Sequence, residues 1–281
     1  MQYSIENNNI KAVVQTDGAE LISVMKDGKE RLWQNNGGGW DKHAPILFPF
    51  AGRVAVNIEG KNYPFIPHGF AKDCNFDVAE KDERRIILRL KSDEKTKTYY
   101  PYDFNFYITY TVIESGVQVD YRVENTGNQT LGYAIGGHHS FALNGSPKNY
   151  VLAFDKDEEF DCLQDEKGVL NGKVKSLGCG RILSLETDLL SNGGSIILKG
   201  IKSRTVTLAE KDGLNEIAKI SFTGFDNFVV WTSDLQMVCL EPWMNLPDGV
   251  NDSKDDFLNK LGIEKVKPNN SSQKQIILYY N

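Results

Sequence analysis

The chain has only four histidines, and they lie in three short segments rich in glycine or proline: His43 in the first, His68 in the second, and His138 with His139 in the third. Glu241 stands in a fourth segment, between an apolar run and a proline–tryptophan pair. An imidazole titrates near neutral pH, and burial beside apolar residues raises the pKa of a carboxyl group. Together such groups can give a proton to one point of a substrate and take one from another.

Arg53 ends the first of these segments. Arginine and histidine donors beside an aromatic platform suit a neutral polyhydroxylated ligand, so the residue types favour carbohydrate chemistry. Each residue also has a purely structural interpretation. A histidine beside glycine can be a hydrogen-bonded turn residue, Glu241 can end a strand in an ion pair with a lysine, and Arg53 can be a surface charge. The four tryptophans, which can all be core residues, are Trp33, Trp40, Trp231 and Trp243.

Other kinds of site find little support. The glycine run 37–39 lacks the following Lys-Ser/Thr of a phosphate loop, which predicts a flexible turn, and no GxSxG nucleophile motif is present. Adjacent residues on a strand face opposite ways, so His138 and His139 cannot both bind one metal ion. The four cysteines are far apart and form no CxxC pair, which indicates reduced structural thiols.

The dominant hydrophobic period is two, which predicts β-strands. Apolar residues alternate with polar ones over 104–112 and again over 117–123, around a turn at 114–116, so this segment is predicted to be a hairpin. Turn residues separate the shorter runs, as in a sandwich or barrel. The predicted further strands are Ile10–Thr16, Glu20–Met25, Ile86–Leu90, Tyr150–Phe154, Ser195–Lys199, Thr205–Leu208, Ile217–Phe222, Phe228–Thr232, Met237–Leu240 and Gln275–Tyr280.

Helical signals are few. A capping-box pattern at 253–256 followed by apolar residues and Gly262 predicts one short helix, and a second is predicted to begin at Ser92. No βαβ alternation, internal repeat or linker appears, which favours one large antiparallel β domain.

The composition restricts the class of partner. The 281 residues carry 32 Lys+Arg against 38 Asp+Glu, a net charge of −6. An acidic chain lacks the basic face that nucleic acid or an anionic membrane requires. The first residues lack a signal-peptide pattern, and no apolar run approaches the roughly 18 residues of a membrane span. A cytoplasmic protein with reduced thiols is therefore expected.

Four segments resemble, in the same order along the chain, the motifs of the aldose 1-epimerase (galactose mutarotase) family. They are 45–53 (PILFPFAGR), 68–72 (HGFAK), 136–138 (GGH) and 241–243 (EPW). Two positions depart from the usual pattern, since Lys72 replaces arginine and His139 replaces proline. The segments Leu32-Trp33-Gln34, Leu246-Pro247-Asp248 and Lys260-Leu261-Gly262 fit the family as well.

The resemblance implies an all-β fold: a single large antiparallel β-supersandwich with few short helices, one domain over residues 1–281. It also implies that no metal and no organic cofactor is used. The implied reaction interconverts the α and β anomers of an aldohexose. An acid protonates the ring oxygen O5 while a base takes the proton of the C1 hydroxyl. The ring opens, the C1–C2 bond rotates, and closure gives the other anomer.

Carried over by position, His138 is the general acid and Glu241 the general base. Arg53 and His68 bind the substrate, through its hydroxyls or its ring oxygen, and Asp226 matches a sugar-binding aspartate. The expected partner is a monosaccharide, and the protein is expected to be a monomer or a homodimer. Strand alternation turns His139 away from the cleft if His138 points into it.

Alternatives remain at this stage. A hexose-6-phosphate epimerase on the same fold needs a cation cluster, and Arg53 has Lys42, Lys61 and Lys72 near it in sequence, but no trio of arginines. A sugar-binding protein without activity is another alternative. A glycosidase normally uses two carboxylates, and only Glu241 has a strong motif.

Overall fold

Alternating apolar and polar residues make most of the chain β-strand, and 15 of the 23 strands join one extended sheet. The computed structural model describes residues 1–35, 40–233 and 236–281, so the glycine run 37–39 lies outside the described residues. The strands are β1 (Gln2–Glu6), β2 (Ile10–Gln15), β3 (Leu21–Lys26), β4 (Lys29–Glu30), β5 (Ile46–Leu47), β6 (Val56–Ile58), β7 (Lys61–Tyr63), β8 (Asp77–Lys81), β9 (Arg85–Lys91), β10 (Phe104–Ile113), β11 (Gly116–Asn125), β12 (Leu131–Tyr133), β13 (Gly136–Gly137), β14 (His139–Ala142), β15 (Tyr150–Glu166), β16 (Val169–Ser184), β17 (Ser195–Leu198), β18 (Thr205–Glu210), β19 (Glu216–Thr223), β20 (Asn227–Trp231), β21 (Met237–Trp243), β22 (Glu264–Val266) and β23 (Ser271–Tyr280).

A 15-stranded antiparallel sheet carries most of these strands, in the order β5-β13-β21-β20-β17-β15-β18-β19-β23-β11-β10-β9-β8, with β14 beside β21 and β16 beside β15. Strands β1–β4 form a separate four-stranded sheet, and two small pairs, β12–β22 and β6–β7, complete the set. The four-stranded sheet packs on the large one: Ile5 and Ala12 share a buried cluster with Ile86, and the Tyr110 hydroxyl donates to the Ala19 carbonyl at 2.8 Å.

The predicted hairpin is confirmed. Strands β10 and β11 pair from Phe104 opposite Asn125 to Ile113 opposite Gly116, and every second residue of β10 is buried. The ten further predicted strands all fall on observed ones. Residues 155–184 were missed, because β15 extends far beyond Phe154 and β16 runs beside it as a mostly exposed edge strand. In this part of β15 only Phe160 and Cys162 are buried apolar residues that alternate with exposed ones, and β16 has almost no buried residues, so the apolar alternation is too weak to predict either strand.

Helices are short. Helix α1 (Glu94–Lys97) follows Asp93, whose side chain accepts from the Thr96 N–H, close to the start predicted at Ser92. The 3-10 turns are Ala71–Asp73, Pro147–Asn149, Asp188–Gly193, Asp252–Lys254 and Phe257–Asn259. The single helix predicted from 253 to Gly262 is wrong: Asp255 is extended (φ −67°, ψ 142°), and Asp256 caps the second turn by accepting from the Leu258 N–H.

The part of the sheet that matters for chemistry runs β5-β13-β21-β20-β17. Gly136 lies between Leu47 of β5 and Trp243 of β21, His139 is opposite Leu240, and Val229 is opposite Glu241. This antiparallel register places His138 directly across from Glu241, so the two side chains point to the same face. No helix in the described ranges is long and apolar enough to cross a membrane.

Gly69 shows how tightly the loop that carries His68 is held. Its φ is +70°, and a Cβ there would lie 2.1 Å from the Phe48 carbonyl oxygen. Gly28 also has a positive φ, +73°, but a Cβ there would meet nothing within 4 Å. We expect Gly28→Ala to cost about 1 kcal/mol of unfolding free energy, from the left-handed backbone alone. Gly69→Ala should cost at least about 2 kcal/mol more, because the backbone must also move.

Denaturant unfolding of both variants measures the difference. Equal losses of unfolding free energy would show that the Phe48 contact does not hold this loop.

Candidate active site

A cavity of about 550 Å³ opens over the strands β5, β13, β21, β20 and β17. Alternate residues of these strands point into it, so its floor combines apolar side chains with His138 and Glu241. Its rim carries Trp40, Arg53 and several lysines. A concave, largely apolar pocket of this size with a few convergent polar groups is typical of a small-molecule site.

His138 and Glu241 form the polar centre of the floor. The Nε2 atom of His138 lies 3.4 Å from Oε2 of Glu241, and the residues are only 9% and 1% exposed. Burial raises the pKa of Glu241 well above its ordinary value, while burial lowers the pKa of His138 well below its own. An isolated charge is costly in this interior, so the pair favours states in which its net charge is zero. These are a neutral imidazole with a neutral carboxyl group, or an imidazolium with a carboxylate.

Trp243 fixes the carboxylate. Its indole Nε1–H donates to Oε2 of Glu241 at 3.2 Å, since residues two apart on a strand share a face. Gly136, opposite Trp243, leaves the space that this indole needs: a Cβ there would lie 2.8 Å from the Trp243 Cδ1 atom. Gly136 of the GGH motif therefore permits the placement of the indole that holds Glu241.

Aromatic rings enclose His138. The Trp40 ring stacks on the imidazole with centroids 5.0 Å apart, and Trp231 meets it edge-on at 5.7 Å. The carbonyl of Trp40 is held by the Trp33 indole N–H at 3.1 Å. From the sequence, these tryptophans could only be assigned to the core, because only the fold brings Trp40 and Trp231 to the imidazole.

The segment after Trp40 is anchored by a buried carboxylate. Oε1 of Glu20 accepts from the backbone N–H groups of His43 and Ala44, at 2.6 and 3.0 Å. His43 lies beside Glu20, with Nδ1 and Oε1 3.8 Å apart, and it does not line the cavity. The first histidine of the sequence is thus a structural residue.

His68 is held for a donor role. Its Nδ1 accepts from the Gly52 N–H at 3.1 Å, and its own backbone N–H donates to the Gly52 carbonyl at 2.9 Å. Burial, with a smaller effect of Lys72, lowers the pKa of His68 to about 4, so the ring is neutral at pH 7. A neutral ring that accepts at Nδ1 carries its proton on Nε2. The ring lies 6.0 Å from that of His138 and 5.6 Å from that of Trp243.

Arg53 lies at the rim, with its guanidinium 4.7 Å from the centre of the Phe65 ring. Gly168, at the tip of the β15–β16 hairpin, lies beside the Arg53 side chain. The fold thus brings four of the five sequence-predicted site residues to one cavity: Arg53, His68, His138 and Glu241.

Asp226 is the exception. Its side chain is 73% exposed and pairs with Arg204 at 2.8 Å, and it does not line the cavity. Phe225 is fully buried in the turn between β19 and β20, which leaves Asp226 facing the solvent. The structure therefore does not bring Asp226 to this cavity, and its expected role in sugar binding stays a prediction.

His139 faces the opposite side of the sheet, as strand alternation predicts. A Cβ on Gly137 would meet both its ring and Ile276 of the core at 2.7 Å. Burial lowers the pKa of His139 to about 3, so the ring is neutral.

His138 and Glu241 also belong to a set of metal-ligand residue types, whose third member, Cys239, does not line the cavity. Cys239 precedes Glu241 by two residues and shares its face, and one donor atom each of His138, Cys239 and Glu241 lies within 4.8 Å of the others. Among the described residues this is the group that could hold a metal ion.

The environment of His138 gives a direct test. We expect its pKa, followed by imidazole NMR across a pH series, to lie below the ordinary value of about 6.5. Burial is the main cause, so Trp40→Ala, which admits water, should raise that pKa towards about 6.5. His139 is the internal control, because Trp40 does not cover it. An unchanged His138 pKa in Trp40→Ala would contradict the account of how this imidazole is buried.

Comparison with known proteins agrees with the fold and the cavity. The sequence model of the aldose 1-epimerase family matches residues 1–260. Protein LacX of Lactococcus lactis, in its plasmid form, is 27% identical, with 98% of this chain and 97% of that protein aligned. The galactose mutarotase related enzyme of Lactobacillus acidophilus superposes with a TM-score of 0.90 at 26% identity, covering 100% of this chain and 97% of that one.

A galactose mutarotase-like protein of Lactobacillus casei gives a TM-score of 0.91 at 26% identity, with both chains fully covered. The expected all-β, galactose mutarotase-like fold is thereby confirmed. The chain belongs to the aldose 1-epimerase family.

Proposed function

We propose that this protein is an aldose 1-epimerase that interconverts the α and β anomers of an aldohexose such as galactose or glucose. The observation that carries the proposal is the buried pair of His138 and Glu241, 3.4 Å apart at the floor of a sugar-sized cavity. Family membership supports the same reaction class.

The pair can hold its one titrating proton on either group, which suits a reaction that must run in both directions. At rest, burial favours a neutral imidazole and a neutral carboxyl group, and transfer of the carboxyl proton from Glu241 to His138 gives the reacting state. The imidazolium then gives its proton to the ring oxygen O5 while the carboxylate takes the proton of the C1 hydroxyl. The ring-opened state then faces a neutral imidazole and a neutral carboxyl group. Because burial raises the pKa of Glu241 and lowers that of His138, this intermediate state is favoured by the interior. Rotation about C1–C2 and the reverse transfers restore the starting protonation.

The neighbouring residues bind the sugar in this proposal. The Nε2–H of His68 is a fixed neutral donor for a hydroxyl or the ring oxygen, and Arg53 supplies a cationic donor at the rim. Half-buried Trp40 and Trp231 add aromatic surface on one side of the cavity. Neither a metal nor an organic cofactor takes part in any step.

A second candidate, a 6-phosphorylated aldose as substrate, is favoured by one observation. The rim carries four cationic side chains and two carboxylates. The cations are Lys42, Arg53, Lys72 and Lys167, and the carboxylates are Asp73 and Asp165. Lys72 pairs with Asp73. This local positive excess contrasts with the net charge of −6 for the whole chain. A phosphate group extending from the cavity would meet it.

Lys167→Gln tests this candidate. If the substrate is phosphorylated, kcat/KM for glucose 6-phosphate should fall about fivefold or more, while kcat/KM for glucose changes little, because one phosphate contact is lost. Lys173→Gln, on the same hairpin but outside the rim, is the matched control. Equal effects of Lys167→Gln on both sugars would argue against a phosphate at this rim.

The acid and base assignments have their own test. We expect Glu241→Gln and His138→Asn each to slow anomerisation by at least about 10²-fold, the scale of a lost general acid or base. Polarimetry on a freshly dissolved α anomer measures the rate, with Asp226→Asn, exposed and outside the cavity, as the control that keeps it. Near-wild-type rates in either site variant would disprove its role. Sugar binding without any acceleration by the wild type would instead support a non-catalytic binding protein.

A further inference from the structure

Two sequence segments that the proposed chemistry leaves unused meet in the structure. Leu246-Pro247-Asp248 follows strand β21, and Lys260-Leu261-Gly262 follows the last 3-10 turn. Nζ of Lys260 lies 2.5 Å from Oδ2 of Asp248, and these side chains are only 7% and 11% exposed. Burying two charges is costly, and such a pair is stable only with good geometry and further hydrogen bonds.

Those further bonds tie Asp248 to the cavity rim. Its backbone N–H donates to the Arg53 carbonyl at 2.8 Å, and its Oδ2 accepts from the Ala55 N–H at 2.8 Å. Asp248 therefore hydrogen-bonds the backbone on both sides of Val54, and the Arg53 side chain extends from this segment to the rim.

Asp248 also holds the hairpin tip. Its carbonyl accepts from the Leu170 N–H at 2.9 Å, and Leu170 forms a parallel bridge with Gly249. The tip residues just before Leu170, among them Lys167 and Gly168, line the same rim as Arg53. Besides its ion pair with Asp248, Lys260 donates a hydrogen bond to the Asp252 carbonyl at 2.9 Å.

We propose that the buried Asp248–Lys260 ion pair is a positioning device that holds Arg53 and the β15–β16 hairpin tip against the bound sugar. Neither residue lines the cavity, so neither touches the reacting atoms. The pair therefore acts on substrate affinity and leaves proton transfer by His138 and Glu241 unchanged. This inference rests on the proposed function for its kinetic consequence, but its structural consequence is independent of it.

Lys260→Met breaks the pair and leaves the Asp248 carboxylate without its cation. We expect KM for the aldose to rise about tenfold or more, while kcat stays within about threefold of wild type. Lys260→Arg, which keeps the charge, should restore most of the affinity. Asp248→Asn should give the same KM effect in the same assay.

Lys274→Met is the matched control. Lys274, 11% exposed, pairs at 2.5 Å with Glu264, which is 34% exposed, and neither residue lines the cavity. Lys274→Met measures the loss of unfolding free energy when an ion pair away from the cavity is broken. Because this pair does not contact the rim, KM should stay unchanged even if the variant is less stable.

Amide hydrogen exchange separates this proposal from the proposed function, because it needs no activity. The N–H groups of Ala55 and Leu170 donate to Asp248, so both should exchange at least about tenfold faster in Lys260→Met and at the wild-type rate in Lys274→Met. If these amides exchange faster in Lys260→Met but the wild type does not catalyse anomerisation, the positioning role is supported and the epimerase function is not. The positioning role would be contradicted if these two amides exchanged at the wild-type rate in Lys260→Met, or if that variant lost kcat at constant KM. An equal rise of KM in Lys274→Met would contradict it as well.

Discussion

The interior of this protein holds an imidazole and a carboxyl group together, away from water, and the surrounding structure serves that arrangement. Transferring a single charge into such a place costs several kcal/mol, about the whole stability of a small domain. His138 and Glu241 avoid that cost by sharing one proton, so that the pair stays neutral overall. This requires that the two side chains face each other, which the antiparallel register of β21 with β13 and β14 provides.

The same requirement explains the residues around the pair. Gly136 leaves room for the Trp243 indole, which donates to Glu241, and Trp40 covers the imidazole on its open side. The sheet buries its opposite face in the core, so His139 is removed from the site by strand alternation alone. In the proposed function, affinity for the sugar comes from His68, the Trp40 and Trp231 rings and the rim. In our further proposal, the buried Asp248–Lys260 ion pair holds Arg53 and the hairpin tip at that rim.

Much of this could be predicted from the sequence. Period-two runs predicted most strands. The motifs of one family, found in the family's order, identified His68, His138 and Glu241 as candidate site residues. The sequence could not show that Asp226 faces the solvent, because this depends on which residue of the turn 224–226 is buried, and no periodicity reports that. The contact of Trp40 with His138 joins residues far apart in sequence, and the Lys260–Asp248 pair forms across an irregular segment, so only the fold shows either contact. The one-domain division over residues 1–281, the cytoplasmic location and the monomer or homodimer state stay predictions.

Saturation-transfer NMR between the α and β anomeric protons measures the central claim at equilibrium, without a change in net concentration. Across a panel of free and 6-phosphorylated aldoses, the account predicts that the wild type accelerates anomer exchange for at least one sugar and that Glu241→Gln abolishes the acceleration. Exchange at the uncatalysed rate for every sugar, or an acceleration that survives in Glu241→Gln, would contradict it.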